Sequence, residues 1–159
     1  MEGSGIKRDS DGSVYEGEFQ QDQRHGNGVE TIVFLGEQSR YEGHWLHDQR
    51  NGHGILRQTN GTIYEGEWLN NRKHGHGIEA STVFGIKTRF TGEWRNNKKH
   101  GEGVEISIFE GLEIRYEGTW ENNKKTGVGM ETSTDTTQGK CRDGRNLGER
   151  KKIKIHTSM

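Results

Sequence analysis

The string Tyr15-Glu16-Gly17-Glu18-Phe19, followed by a Gly-x-Gly pair at Gly26 and Gly28, decides the fold because the chain writes it five times. The other copies are Tyr41-Glu42-Gly43-His44-Trp45, Tyr64-Glu65-Gly66-Glu67-Trp68, Phe90-Thr91-Gly92-Glu93-Trp94 and Tyr116-Glu117-Gly118-Thr119-Trp120. Their glycine pairs are Gly52/Gly54, Gly75/Gly77, Gly101/Gly103 and Gly127/Gly129, and the copies begin 26, 23, 26 and 26 residues apart. Within a copy, Tyr15, Gly17 and Phe19 alternate with Glu16 and Glu18, the period-two pattern of a strand with one buried face. Polar turn formers, Gln20 to His25, come next, and the Gly-x-Gly pair opens a second strand. Each repeat is therefore expected to be a hairpin, and successive hairpins to pair edge to edge. At about 4.8 Å per strand, five such repeats reach on the order of 50 Å.

Composition agrees with a thin fold. The 159 residues include 25 glycines, no proline and only 26% hydrophobic residues, which excludes a thick core. So few apolar residues would suit a disordered chain, but disorder usually comes with a large net charge or Pro-rich tracts. Here 23 Lys and Arg nearly cancel 24 Asp and Glu, so nothing steers the chain toward nucleic acid. The lone Cys141 excludes an intrachain disulfide and a multi-Cys zinc site. No apolar run approaches the roughly 18 residues of a membrane span, and the first residues show no signal-peptide pattern. The expectation is a soluble intracellular protein.

Glycine in a strand costs roughly 0.5–1 kcal/mol. That cost is tolerated if Gly17, Gly26 and Gly28 let aromatic rings lie on bare backbone, where each buried ring stabilises by a few kcal/mol. The Tyr, Trp and Gly columns are accordingly structural.

These motifs resemble the MORN (membrane occupation and recognition nexus) repeat family, closely over residues 15–129. The resemblance implies an all-β, elongated, single-layer twisted antiparallel sheet of stacked repeat hairpins. It divides the chain into a partial N-terminal repeat or cap (1–14), five repeats (15–129, starting at 15, 41, 64, 90 and 116), and a degenerate sixth repeat, cap and basic tail (130–159). In that last stretch Thr137, Cys141 and Arg150 replace the aromatic, the tryptophan and the second glycine. The family likeness implies a non-catalytic scaffold or adaptor in a cytoskeletal or ciliary, axonemal assembly of the cytoplasm. It also implies an alternative, peripheral binding to acidic phospholipids.

Three further columns bear on binding. Glu16, Glu18, Glu42, Glu65, Glu67, Glu93 and Glu117 are expected on the outward face. Beside them stand turn cations Arg24, Arg50, Arg72, Lys73, Lys98, Lys99, Lys124 and Lys125. The plain reading is a solvated, self-neutralising ladder. The lipid alternative would instead use Arg72, Lys73, Lys98, Lys99, Lys124 and Lys125 together with Lys151 and Lys152 of the tail. In the second column Glu30, Glu79 and Glu105 share the aromatic face by alternation, either paired with cross-strand cations or exposed to a basic partner peptide. The third column is the loop between repeats. Three loops are long and apolar, with Val33-Phe34-Leu35, Val83-Phe84 and Ile86, and Ile108-Phe109 and Leu112; one is a short polar turn, Arg57 to Thr62. The apolar groups either tuck into the sheet edge or form a stripe that marks a protein contact.

Catalysis is not expected. His25, His74 and His100 recur one per repeat, roughly 10 Å apart by strand spacing, too far to share a metal. The Gly-x-Gly pairs lack the helix and the Lys-Ser/Thr of a phosphate loop. No nucleophile sits beside a base, and no cofactor is implied. The alternating Lys152-Ile153-Lys154-Ile155 suggests a charged last edge strand or a short basic anchor with weak acidic-lipid affinity. The open sheet ends also admit a homodimer.

Overall fold

The computed structural model describes residues 2–135 and, for its last strand, the backbone of 152–157. Twelve strands lie in sequence order in one antiparallel sheet. They are β1 (Gly3–Arg8), β2 (Val14–Gln20), β3 (Gln23–Phe34), β4 (Glu37–Leu46), β5 (Gln49–Arg57), β6 (Ile63–Leu69), β7 (Arg72–Val83), β8 (Ile86–Arg95), β9 (Lys98–Phe109), β10 (Leu112–Glu121), β11 (Lys124–Asp135) and β12 (Lys152–Thr157). No helix occurs among the described residues. The sixth-repeat reading at Thr137, Cys141 and Arg150, and the tail residue Lys151, lie outside them.

The hairpin within each repeat is tighter than the sequence suggested. Only two residues turn, Gln21-Asp22 in the first repeat and Asn70-Asn71 in the third, with φ of 52° and 62°, and 49° and 64°. Positive φ at both central residues is the requirement of a type I′ hairpin, and Asn and Asp tolerate it best. Arg24, Arg50, Lys73, Lys99 and Lys125, expected in the turns, therefore stand in strands β3, β5, β7, β9 and β11.

A bulge follows in every repeat. Gly17 pairs with Gly28 and Glu18 with His25, so β3 carries two extra residues, Gly26 and Asn27, against β2. Gly26 takes φ 58° there. Its space is filled by a carboxylate and not by a ring, contrary to the sequence expectation: a Cβ on Gly26 would lie 2.4 Å from the Glu18 carboxylate. Glu18, Glu67 and Glu93 accept the backbone N–H of Asn27, His76 and Glu102 at 2.9, 2.9 and 3.3 Å. These three glutamates brace the bulge and are not a free surface ladder. At Gly28 the sequence reading holds, since a Cβ there would meet the Tyr15 hydroxyl at 2.3 Å.

The core is one layer of rings on one face. Tyr15, Phe19, Tyr41, Trp45, Tyr64, Trp68, Phe90, Trp94, Tyr116 and Trp120 are buried, joined by Leu56. Each Tyr or Phe of the first four repeats touches the aromatic of its own repeat and the Trp of the next edge to face, as in Tyr64–Trp68 at 5.3 Å and Tyr64–Trp94 at 5.2 Å. Such T-shaped pairs add about 0.5–1.5 kcal/mol each beyond burial. The indole N–H of Trp45, Trp68, Trp94 and Trp120 donates to the carbonyl of Gly28, Gly54, Gly77 and Gly103 in the preceding repeat, at 3.1–3.4 Å. The turns clasp backward as well: Asn97 donates its N–H to the Lys73 carbonyl and accepts the Lys73 N–H at its Oδ1, at 3.0 and 2.8 Å.

Candidate protein-binding edge

Strand register fixes what lies over the rings. Across the sheet Tyr15, Glu30, Tyr41, Leu56, Tyr64, Glu79, Phe90, Glu105, Tyr116 and Glu131 oppose one another in a single row. Next to it the cations oppose Phe19 and the tryptophans, as in Trp94↔Lys99. Arg24 stands 4.2 Å from the Trp45 ring centroid, Lys73 4.8 Å from Tyr64 and 5.0 Å from Trp94, and Lys125 4.3 Å from Tyr116. Each cation also meets the acid column. Glu30 takes Arg24 at 2.5 Å and Arg50 at 2.7 Å, Glu79 pairs with Lys73, Glu105 with Lys99, and Glu131 with Lys125 at 3.3 Å. Arg50 reaches back to Glu30 because its own repeat carries Leu56 in the acid position. Glu30, Glu79 and Glu105 are thus occupied by internal pairs, half-buried in a lid over the aromatic layer.

This lid also rearranges the basic residues singled out for lipid. Lys73, Lys99 and Lys125 lean onto the rings and their glutamates, while Arg72, Lys98 and Lys124 stay exposed at the two-residue turns. Lys152 stands in β12 with its backbone opposite Ser133.

The opposite long edge carries the loops between repeats. Three of them are two-residue turns on long strands: Leu35-Gly36, Phe84-Gly85 and Glu110-Gly111. Their apolar residues do not tuck into the sheet edge. Phe84 is 96% exposed, Leu35 87% and Phe34 71%, and Val83, Ile86, Ile108, Phe109 and Leu112 are all exposed. Val33 is the exception: half-buried, it lies against Gly12 and donates its N–H to Ser13 Oγ at 3.1 Å. Leu35 and Phe84 stand at φ 51° and 49°, a left-handed position that disfavours bulky side chains. Solvation and backbone both disfavour large apolar groups at these tips.

The two other loops of this edge among the described residues are short and alike. In Asp9–Ser13 and Gln58–Thr62 the first residue's N–H donates to the last carbonyl at 2.9 Å in both. In each, the side-chain oxygen of Asp11 or Asn60 accepts the last N–H, at 2.8 and 2.9 Å. The apolar posts of β3–β4 and β7–β8 therefore stand on either side of a low, polar gap.

On the face away from the rings, near this edge, lie Ile108, already singled out, and four residues that the sequence reading left aside: Ala80, Lys87, Arg89 and Ile106. Register is the signal that finds them, since Ala80 pairs with Arg89 and Arg89 with Ile106, while Lys87 pairs with Ile108.

The MORN repeat model matches residues 15–33, 41–63, 64–82, 90–107 and 116–138, together more than half of the chain. No curated protein matches the chain. Five matches set over five copies of a hairpin with one aromatic ladder and one bulge pattern establish that the chain belongs to the MORN repeat family.

Proposed function

We propose that this chain is a non-catalytic scaffold that binds a protein partner along its loop edge, in a cytoskeletal or axonemal assembly of the cytoplasm. The observation that carries the reading is the row of exposed tips, Phe34 and Leu35, Val83, Phe84 and Ile86, then Phe109 and Leu112, on one side of a rigid sheet. Apolar groups presented in a row along one edge suit a protein surface. The lipid alternative loses support from the lid, because half of its turn cations are drawn into internal pairs and the rest stand on the edge away from the apolar tips.

The test places a photo-crosslinking residue at Phe84, and for comparison at Asn96 on the turn edge, and exposes both proteins to lysate of ciliated cells. A covalent adduct with one cytoskeletal or axonemal protein from position 84 alone, lost on Phe34→Ala with Phe109→Ala, is the expected result. Equal labelling from both positions, or labelling indifferent to the two alanines, refutes the reading.

A further inference from the structure

On the ring-free face, β8 carries two cations, Lys87 and Arg89, between aliphatic neighbours. Ala80 and Thr82 of β7 flank them on one side, and Ile106 and Ile108 of β9 on the other. Together with Gly61 of the short loop and Glu113 of β10, these residues line a hollow of about 430 Å³. The repeats show why the cations there are unspent. In the second repeat Arg40 is held by Glu42, two residues on, at 2.6 Å, and in the fifth Arg115 is held by Glu117 at 2.7 Å. In the fourth repeat the residue two places beyond Arg89 is Thr91, not glutamate. Arg89 accordingly has no carboxylate there, and Lys87 likewise makes no ion pair among the described residues. The motif departs from its pattern at the repeat whose cations line this hollow.

We propose that this hollow is the docking site for an acidic, aliphatic segment of the partner protein. The inference rests on the loop edge being the protein-binding surface, and it names the chemistry of what binds there. Aliphatic side chains of the segment cover Ala80, Ile106 and Ile108, and its carboxylates replace the missing glutamate beside Arg89 and Lys87. Partly desolvated charge pairs of this kind set specificity and orientation more than raw affinity. Glu113, at the far side of the hollow, disfavours a segment whose carboxylates extend past Ile108.

The test uses a fluorescein-labelled amphipathic helix of Leu, Ala and Glu, its twin with Lys for Glu, and vesicles containing phosphatidylserine. The full chain should bind the Leu/Glu peptide about tenfold more tightly than the Leu/Lys twin. Thr91→Glu, which gives the fourth repeat the ion pair of the second and fifth, should erase that preference. Ala80→Trp, which fills the hollow from the ring-free side, should abolish binding of the Leu/Glu peptide. An unchanged thermal unfolding midpoint followed by far-UV circular dichroism shows the sheet intact in both variants. The inference falls if the two peptides bind alike, if neither binds, if Thr91→Glu and Ala80→Trp leave binding unchanged, or if vesicles are bound in their place through the same residues. Repeating the Phe84 crosslink in the Ala80→Trp background separates the two readings. Labelling that persists leaves the edge standing and removes the hollow; peptide binding without any specific crosslink does the reverse.

Discussion

Phe90 stands where the other four repeats carry tyrosine, and changing it to tyrosine should stabilise the protein. In three of those repeats the hydroxyl donates to the carbonyl three residues on: Tyr15 to Glu18 at 3.0 Å, Tyr41 to His44 at 3.1 Å and Tyr64 to Glu67 at 2.9 Å. The Phe90 ring sits in the same frame. It lies 5.4 Å and 87° from Trp94, against 5.3 Å and 90° for Tyr64 and Trp68. It also sits equally deep, with Cζ 2.5 Å from a Cβ built on Gly103, compared with 2.7 Å for Tyr64 over Gly77. A hydroxyl added there points at the Glu93 carbonyl, and a net hydrogen bond contributes about 0.5–1.5 kcal/mol. Little new volume enters the layer, so the expected gain for Phe90→Tyr is about 1 kcal/mol, or about 2–4 °C in Tm at this chain length. Urea unfolding followed by tryptophan fluorescence, with an unchanged slope, is the assay. The mirror variant Tyr64→Phe should lose about 1–2 kcal/mol, because it strands a carbonyl that had a partner. If Phe90→Tyr brings no gain and Tyr64→Phe no loss, the column is selected for ring area alone and the reasoning fails.

Three other outcomes follow from the same contacts. Glu79→Ala should cost about 1–3 kcal/mol by leaving Lys73 unpaired over the rings, whereas Glu79→Leu with Lys73→Met, copying the Leu56 arrangement, should be near neutral; a double-mutant cycle in urea decides. Asn97→Gly should lose only the clasp on Lys73, about 1 kcal/mol, and Asn97→Ala about 1–2 kcal/mol more because of its φ of 67°, so equal losses would dismiss the left-handed contribution. Burial raises the Tyr15 phenol to about 12 and pushes those of Tyr41 and Tyr64 upward as well. Tyrosines of the unfolded chain ionise first, near 10, so their stabilisation is complete below pH 10 and is lost as pH rises through the folded values. Thermal unfolding between pH 8 and 12 should show Tm falling above about 10, and phenolate absorbance appearing near pH 10 with the fold intact would contradict it.

The aromatic and glycine columns were legible because they repeat in register. Tyr15, Gly17 and Gly28 behave as their alternation says, and Glu30, Glu79 and Glu105 share the ring face as expected. What the sequence hid depends on backbone irregularity. The two-residue bulge at Gly26-Asn27 shifts which groups meet, so Glu18, outward and exposed as expected, also braces that bulge. The hairpin was drawn too wide for the same reason: nothing in Gln20 to His25 says where a type I′ turn stops and a strand begins, and Arg24 was placed in the turn although it lies over Trp45. At the loop edge both readings of Phe34, Phe84 and Phe109 were open, because whether an apolar tip folds back depends on space that only the paired strands define. The hollow at Lys87 and Arg89 draws on four strands, and no local window contains it.

The backward reach of each repeat has a consequence for how the chain is made. Trp45, Trp68, Trp94 and Trp120 donate to glycine carbonyls of the repeat before, and Asn71, Asn97 and Asn123 close on strands already formed. During synthesis, which runs from N to C, every emerging tryptophan finds its carbonyl waiting, while the Arg24, Arg50, Lys73 and Lys99 N–H groups wait for the turn that follows. Shortening the protein is accordingly unequal at its two ends. Removing the last repeat leaves backbone groups of Gly103 and Lys99 to water, whereas removing the first strands the Trp45 indole and the Asp48 turn without partners. The array has a grain, and it runs in the direction of translation.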